Sequence, residues 1–263
     1  MRSTVSRSSV SSVLAVALLL GVAGCNHMNG KADAASIAPV ASSAHIVAAV
    51  KDPARPAADT AIDADRKPDE MLAFAGVTPG MKIGELIPGG GYMTRVFSKA
   101  IGPTGKLYAF AGPVAEGRPP VLEAVMKEAA TYPNVSVVTT DFVTVKSPEP
   151  LDLVWTSQNY HDLHNPGRNI DLVAANKQVF NALKPGGTYI VLDHSAPVGA
   201  GTNSTTHRIE PELVKKEVLA AGFEYVGDSN VLRNPADPRD KTVFDPSIRR
   251  KTDQFILKFR KPA

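Results

Sequence analysis

Histidines and carboxylates that could carry chemistry gather in the second half of the chain. They are His161, Asp162, His164, Asp193 and His194, with His207 on a later loop that could fold over them. An imidazole with a pKa of about 6.5 can remove a proton at neutral pH. Imidazole nitrogens and carboxylate oxygens of the first five also suit zinc or another divalent ion, although His-x-x-His is not a specific metal signature. The residue types therefore leave a general base and a metal centre open.

A glycine-rich turn is the second candidate for function. Pro88-Gly89-Gly90-Gly91 follows a strand-like segment and precedes a helical run that begins at Tyr92. Glycine lets a ligand approach backbone atoms with no side chain in the way. The dinucleotide fingerprint G-x-G-x-x-G/A fails at its third position, where Thr94 stands, and the phosphate-binding GxxxxGK[ST] is absent. The turn therefore indicates either a binding site for a ligand outside these two fingerprint classes or a turn whose glycines are needed only for packing.

The elements that must position these residues alternate between strand and helix. Apolar segments predict strands at 81–87, 106–110, 134–142, 151–156, 188–194, 223–232 and 253–260. Helical spacing predicts helices at 67–77, 92–100, 169–183 and 212–221. A strand-turn-helix-strand unit implies a right-handed crossover and a parallel sheet. Because such sheets bind ligands at the carboxyl ends of their strands, we expect the candidate residues to meet at that edge.

Length and charge set bounds on the class of protein. A chain of 263 residues, 43% of them hydrophobic, has room for one sizeable α/β domain. Lys and Arg number 29 against 26 Asp and Glu, and Arg2 and Arg7 precede every acid, so the remainder carries a net charge of +1. This balance argues against a nucleic-acid partner. One cysteine excludes a disulfide framework and a cysteine-based zinc cluster.

The first 25 residues predict a targeting signal. Arg2 and Arg7 precede an apolar run from Val13 to Val22, which is too short to span a bilayer. The run ends in VAGC, which resembles the lipobox of bacterial lipoproteins and makes Cys25 the lipidated residue. An ordinary secretory signal is the alternative. Asn26, by resemblance to bacterial sorting rules, favours the outer membrane and a periplasmic location, with the chain anchored to the membrane by lipid rather than spanning it.

The rest of the chain divides into a tether and a domain. Residues 26–65 are rich in Ala, Ser, Pro and Asp without a sustained apolar period, which predicts a flexible tether. A short helical piece is possible around His45–Val50. Residues 66–263 carry the strand and helix patterns and form the predicted domain.

The order of elements from residue 66 to 262 resembles class I S-adenosylmethionine-dependent methyltransferases. ALKPGG followed by a strand ending in an acid is the most specific element of that resemblance. The segments ELIPGGGYMT, WTSQNYHDLH, DHSA, HRIE, LRNPADPRD and TDQFILKFRKP resemble a bacterial group of predicted exported methyltransferases. The resemblance implies a Rossmann-like, seven-stranded, mostly parallel sheet with an antiparallel last strand and helices on both faces.

The resemblance also implies the cofactor S-adenosylmethionine, a small-molecule acceptor, and no metal. The residues implied to bind the cofactor are Glu85, Pro88, Gly89, Gly90, Gly91, Tyr92, Asp141, Phe142, Trp155 and Gln158. His161 is the expected general base, with Tyr160 and His194 beside it. Arg208, His207 and Asp193 are expected to bind a carboxylate or the substrate, since a guanidinium can hold two oxygens at once.

Two positions depart from the family pattern. Ile87 stands where the first glycine of the turn is usual, and the second strand ends at Ala111-Gly112 without the acid that usually binds the ribose. A non-catalytic ligand-binding protein and a metal-dependent enzyme that uses the histidines are the alternative functions.

Overall fold

The apolar runs of the sequence form the strands of one seven-stranded sheet. The structure, a computed structural model, describes Met1 and residues 36–112, 132–141 and 144–263. The strands of the sheet are β1 (Lys82–Leu86), β2 (Lys106–Ala111), β3 (Val135–Thr139), β4 (Leu151–Ser157), β5 (Leu183–His194), β8 (Glu224–Ser229) and β9 (Gln254–Arg260). Two short strands, β6 (Thr202–Asn203) and β7 (Arg208–Ile209), pair with each other beside it.

The strand order is β3-β2-β1-β4-β5-β9-β8. The pairs from β3 to β5 run parallel, whereas β9 runs antiparallel to both of its neighbours. The predicted mostly parallel sheet with an antiparallel last strand is therefore confirmed.

The register of the central strands brings their carboxyl ends to one edge. Leu86 of β1 lies opposite Thr156 of β4, and Ser157 lies opposite Leu192 of β5. The glycine turn after β1, the loop after β4 and the acid-histidine pair that ends β5 consequently lie side by side at this edge.

Helices cover both faces of the sheet. They are α1 (Ala44–Val50), α2 (Ala57–Thr60), α3 (Asp63–Arg66), α4 (Pro68–Ala75), α5 (Tyr92–Ile101), α6 (Tyr160–Leu163), α7 (Leu172–Ala182) and α8 (Pro211–Ala220), with a 3₁₀ turn at Pro166–Arg168. Side chains of a strand alternate between faces. In β4, Trp155 packs with Phe97 of α5 in one core, and Val154 packs in the other core with Val218 of α8.

The segment before residue 66 differs from the predicted tether. From Ala44 onward it forms α1, α2 and α3, and Ile46 and Ala49 of α1 are buried in the domain core. Asp59 of α2 forms a buried ion pair with Arg95 of α5. Short alanine-rich helices depend on tertiary packing, which composition does not reveal. Ile37 also packs against this core, and its backbone N–H donates to the Asp228 carbonyl, so the domain begins about thirty residues earlier than predicted.

Three sequence predictions lie outside the described residues: the signal peptide, lipidation of Cys25, and cofactor binding by Phe142. Within the described ranges, no helix combines the length and the apolar character needed to cross a bilayer.

Candidate functional site

The glycine turn and the loop after β4 enclose a cavity of about 310 Å³, here called the turn cavity. Its lining residues are Arg66, Glu85, Ile87, Pro88, Gly89, Gly90, Tyr92, Met93, Ser157, Gln158, Asn159 and Asp162. Six of the residues predicted to bind a cofactor are among them: Glu85, Pro88, Gly89, Gly90, Tyr92 and Gln158. The structure thus brings the strand-end residues together as the sheet edge predicts.

The backbone of the turn leaves space that side chains would fill. Gly89 and Gly91 have φ of +55° and +78°. A Cβ built at Gly89 or Gly90 meets no atom within 4 Å. Ile87, at the position where the resembling family has glycine, also has positive φ, +50°, a conformation that is uncommon for a β-branched residue. The side-chain amide of Asn159 donates to the Ile87 carbonyl at 3.2 Å and holds this end of the turn.

Glu85 forms the buried acidic floor of the turn cavity. It is 2% exposed, and its Oε2 accepts a hydrogen bond from the Thr94 hydroxyl at 2.5 Å. Burial raises the pKa of Glu85 to about 8, although the Thr94 hydrogen bond and the positive charge of Arg66 oppose the rise. Glu85 is therefore largely protonated at neutral pH, and a cationic ligand in the cavity would favour its ionised form.

Arg66 and Gln158 separate the turn cavity from a second one. The Arg66 guanidinium lies over the Tyr92 ring, 4.4 Å from its centroid, and donates to Gln158 Oε1 at 2.9 Å. Gln158 in turn donates to Gln254 Oε1 at 2.8 Å. The second cavity, about 160 Å³ and here called the arginine cavity, is lined by Ile62, Asp65, Arg66, Gln158, His194, Val243, Phe244, Arg249, Arg250 and Gln254.

His161, Asp162 and His207 form a group that we call the histidine cluster. His161 Nε2 lies 3.2 Å from His207 Nδ1 and 3.5 Å from Asp162 Oδ1. The other nitrogen of His161, Nδ1, faces Asp193 Oδ1 at 2.8 Å. Burial opposes protonation of His161. The hydrogen bond to Asp193 and the negative charge of Asp193 outweigh burial, so the pKa of His161 is raised.

The predicted base does not line either cavity. His161 is 3% exposed, and its Nε2 faces the other two members of the cluster rather than open space. Asp162 is the cluster member that lines the turn cavity, while His207 packs edge-on against Phe244 of the arginine cavity, with ring centroids 4.8 Å apart. The cluster therefore lies between the two cavities.

His194 reaches the arginine cavity as a neutral imidazole. Burial lowers its pKa to about 4, despite the nearby charge of Asp193. Its Nδ1 lies 2.9 Å from the Thr252 hydroxyl. His194 would therefore meet a ligand of that cavity as a hydrogen-bonding group rather than as a cation.

Arg208 does not have the predicted role of a carboxylate-binding residue. Its side chain is fully buried and forms a bidentate ion pair with Asp237, at 2.8 and 3.2 Å. Its remaining donors reach the carbonyl oxygens of Ser195 and Lys241. Since every branch of the guanidinium is engaged inside the protein, Arg208 positions the loop that carries His207 instead of holding a ligand.

Tyr160 and Trp155 are also placed in the interior rather than at the site. The Tyr160 hydroxyl donates to Glu217 at 2.9 Å and accepts from Asn176 at 2.7 Å, and burial raises its pKa strongly. Trp155 packs against Phe97 with ring centroids 5.4 Å apart. Trp155 follows the alternation of β4 into one core, and Tyr160 packs from helix α6 into the other, which proximity in sequence to the site cannot show.

The remaining predicted residues have smaller roles. Asp141 is exposed after β3 and accepts from the backbone N–H of Thr144 at 2.6 Å, and it does not line the turn cavity. Sequence reasoning missed Arg66, because the segment before it was interpreted as a tether. Arg249 and Arg250, which belong to none of the sequence motifs named above, also line the arginine cavity.

Solved structures of low sequence identity share this fold. The [4+2]-cyclase SpnF matches with a TM-score of 0.58 and 17% identity, over 81% of this chain and 86% of its own. A SAM-dependent methyltransferase from Aquifex aeolicus matches with a TM-score of 0.55 and 16% identity, over 81% and 96%. The N-methyltransferase NodS from Bradyrhizobium japonicum matches with a TM-score of 0.50 and 13% identity, over 81% and 99%. No protein-family model and no curated protein matches the sequence.

The chain has the Rossmann-like fold of class I S-adenosylmethionine-dependent methyltransferases. Structural similarity at sequence identities of 13–17% establishes the fold but not the reaction. One of the matching proteins is named a cyclase, so the activity has to be argued from the site itself.

Proposed function

We propose that the chain is an S-adenosylmethionine-dependent methyltransferase that acts on a small-molecule acceptor. The turn cavity is the observation that carries the proposal. It lies where the strand order reverses, between β1 and β4, and such switch points are where open α/β sheets bind ligands. Its glycine turn leaves room for a ligand against the backbone.

The residues of the turn cavity fit the charges of that cofactor. S-adenosylmethionine supplies a methyl group on a positively charged sulfur and also carries an ammonium and a carboxylate. Glu85 is the buried group that a positive charge would ionise. The turn leads directly into α5, and the amides at a helix N-terminus favour a negative group.

The arginine cavity is suited to the acceptor. It shares Arg66 and Gln158 with the turn cavity, so ligands in the two cavities would meet across these side chains. Alignment of two reactants can supply a large part of a rate acceleration. Arg66, held by Gln158 and the Tyr92 ring, and Gln158, held by Gln254, line both cavities and would orient the two ligands towards each other.

Calorimetric titration with S-adenosylmethionine tests the proposal. Gly89→Val places a side chain in the ligand space, and we expect affinity to fall more than about tenfold, or about 1.4 kcal/mol. Gly186→Val is the matched control, because Gly186 also has positive φ, +76°, with no atom within 4 Å of its Cβ position, and lies outside both cavities. A wild-type chain that does not bind at millimolar ligand would rule the cofactor out, and equal losses in both variants would rule out the glycine turn as its site.

We further propose that the protein is anchored by lipid at Cys25 and faces the periplasm from the outer membrane. The support is the charge-apolar-VAGC order of residues 1–25. Cys25→Ser removes the thiol that would be acylated, so incorporation of labelled fatty acid should be lost. Equal labelling of the variant and the wild type would contradict lipidation at this residue.

A further inference from the structure

The three facing atoms of the histidine cluster have the spacing of ligands around a tetrahedral ion. The distances are 3.2 Å from His161 Nε2 to His207 Nδ1, 3.5 Å from His161 Nε2 to Asp162 Oδ1, and 3.8 Å from His207 Nδ1 to that oxygen. Zinc bonds of about 2.0–2.2 Å place tetrahedral ligand atoms about 3.3–3.6 Å apart. Octahedral ligands at about 2.1 Å lie closer, about 3.0 Å apart. The cluster therefore matches the tetrahedral spacing better.

Asp193 fixes His161 in the form that a metal requires. An ionised carboxylate only accepts hydrogen bonds, and Asp193 already accepts from the backbone N–H groups of His161 and His194. His161 Nδ1, at 2.8 Å, therefore carries the proton that points to Asp193, and the lone pair lies on Nε2 inside the cluster. This carboxylate–histidine arrangement is the usual outer support of a histidine that binds zinc.

The other two ligands are also fixed, Asp162 on the same helix as His161 and His207 directly before β7. Asp162 is the next residue of the short helix α6, whose hydrogen bonds fix its backbone. His207 has a left-handed backbone, φ +55°, immediately before β7, and the buried Arg208–Asp237 pair anchors that strand. The backbone strain at His207 is thus maintained by a built structure, as is common where a side chain must be aimed.

We propose that His161, Asp162 and His207 bind one divalent transition-metal ion of the zinc class. Three protein ligands with a fourth position open is the pattern of catalytic rather than structural zinc. Asp162 lines the turn cavity and His207 packs against Phe244 of the arginine cavity, so a fourth position on the ion would lie close to both cavities. This role rests on the methyltransferase proposal: a hydroxyl or amine of the acceptor would occupy the fourth position, and the ion would lower the pKa of that group.

Zinc binding without any other ligand tests the site. The full chain is stripped with a chelator, dialysed and titrated with Zn²⁺ in a calorimeter, and the bound metal is counted by elemental analysis. We expect one ion per chain with a Kd of about 1 µM or tighter. His207→Ala is the main variant, because His207 is partly exposed and its loss leaves Asp193 and His161 paired. It should weaken binding about 100-fold or more.

His164→Ala is the matched control. His164 lies three residues from His161, and its Nε2 faces Glu217 at 3.2 Å instead of the cluster. Stoichiometric zinc in this variant and its loss in His207→Ala support the proposal. A wild-type chain without stoichiometric zinc, or equal losses in both variants, overturns it, and a plain hydrogen-bonded histidine pair would then describe the cluster.

A Co²⁺ titration adds a readout of geometry. Tetrahedral Co²⁺ gives intense visible absorption bands, which should appear in the wild type and in His164→Ala but not in His207→Ala. Their absence from a wild-type chain that binds the ion would contradict the tetrahedral ligand set. Zinc and cobalt binding are measured without S-adenosylmethionine, so a failed cofactor titration would overturn the methyltransferase proposal and leave the metal result standing.

Discussion

The two ends of the candidate site differ in what builds them. At the glycine turn, the wall of the turn cavity is backbone, since Gly89 and Gly90 contribute no side chain and their Cβ positions face open space. The histidine cluster is shaped by side chains that fix one another: Asp193 holds His161, and the Arg208–Asp237 pair holds the strand after His207. A substitution in the turn should therefore lower the affinity for a ligand. A substitution in the Arg208–Asp237 pair should first lower the free energy of unfolding.

Arg208→Ala tests this difference with the largest expected effect. Removing the arginine leaves Asp237 as an unpaired charge in the interior, and breaking such a pair costs about 3–5 kcal/mol. The free energy of unfolding, measured by urea denaturation, should fall by that amount. Burial alone would raise the pKa of Asp237, but the hydrogen bonds that the carboxylate accepts, including that from Arg208, outweigh burial and lower the pKa overall. These contacts therefore stabilise the ionised carboxylate in the interior.

Arg260→Ala is the control for that measurement. Arg260 pairs with Glu224 at 2.8 Å, but the two side chains are 57% and 51% exposed, and exposed pairs contribute about 0–1 kcal/mol. An Arg208→Ala chain as stable as wild type but unable to bind a carboxylate ligand would restore the role predicted from the sequence.

Glu85→Gln gives a smaller, pH-dependent effect at the turn cavity. The pKa of Glu85 rises from 4.5, the ordinary value, to about 8 in the fold, so the folded protein keeps a proton that the unfolded chain releases. The stability from this group is full below about pH 4.5 and is lost as pH rises towards 8, by at most about 1.4 kcal/mol per pH unit.

The glutamine variant has no proton to lose at this position. Urea midpoints at pH 5, 6.5 and 8 should therefore decline less in Glu85→Gln than in wild type. Glu70→Gln, a change at an exposed glutamate, should follow the wild type. Parallel profiles for wild type and Glu85→Gln would mean that Glu85 is ionised in the fold.

The sheet could be predicted because its pattern is local. The alternation along β1 and the apolar run of β4 specify strands, and the glycine turn specifies the crossover between β1 and α5. Strand ends of a parallel sheet meet at one edge, so the grouping of His161, His194 and the turn also followed from the sequence.

The roles of individual side chains could not be predicted, because they depend on partners far along the chain. The sequence predicts a free guanidinium at Arg208, but in the structure it pairs with Asp237. It also predicts a catalytic hydroxyl at Tyr160, but that hydroxyl bonds to Glu217 and Asn176. Arg66 belongs to a segment of low apolar periodicity whose helices are stabilised by the domain they contact. Residue type limits what a side chain can do, and tertiary contacts decide whether it is free to do it.

The ion pair that holds α2 to α5 determines how the site responds to ionic strength. Arg95 and Asp59 are 5% and 11% exposed, with a 2.6 Å contact between them. Dissolved salt screens charges through the solvent, with a Debye length of about 10 Å at 0.1 M, and acts much less on a buried pair. The N-terminal helices that bring Arg66 to both cavities should therefore stay docked from dilute buffer to molar salt, and the boundary between the cavities should keep its shape across that range.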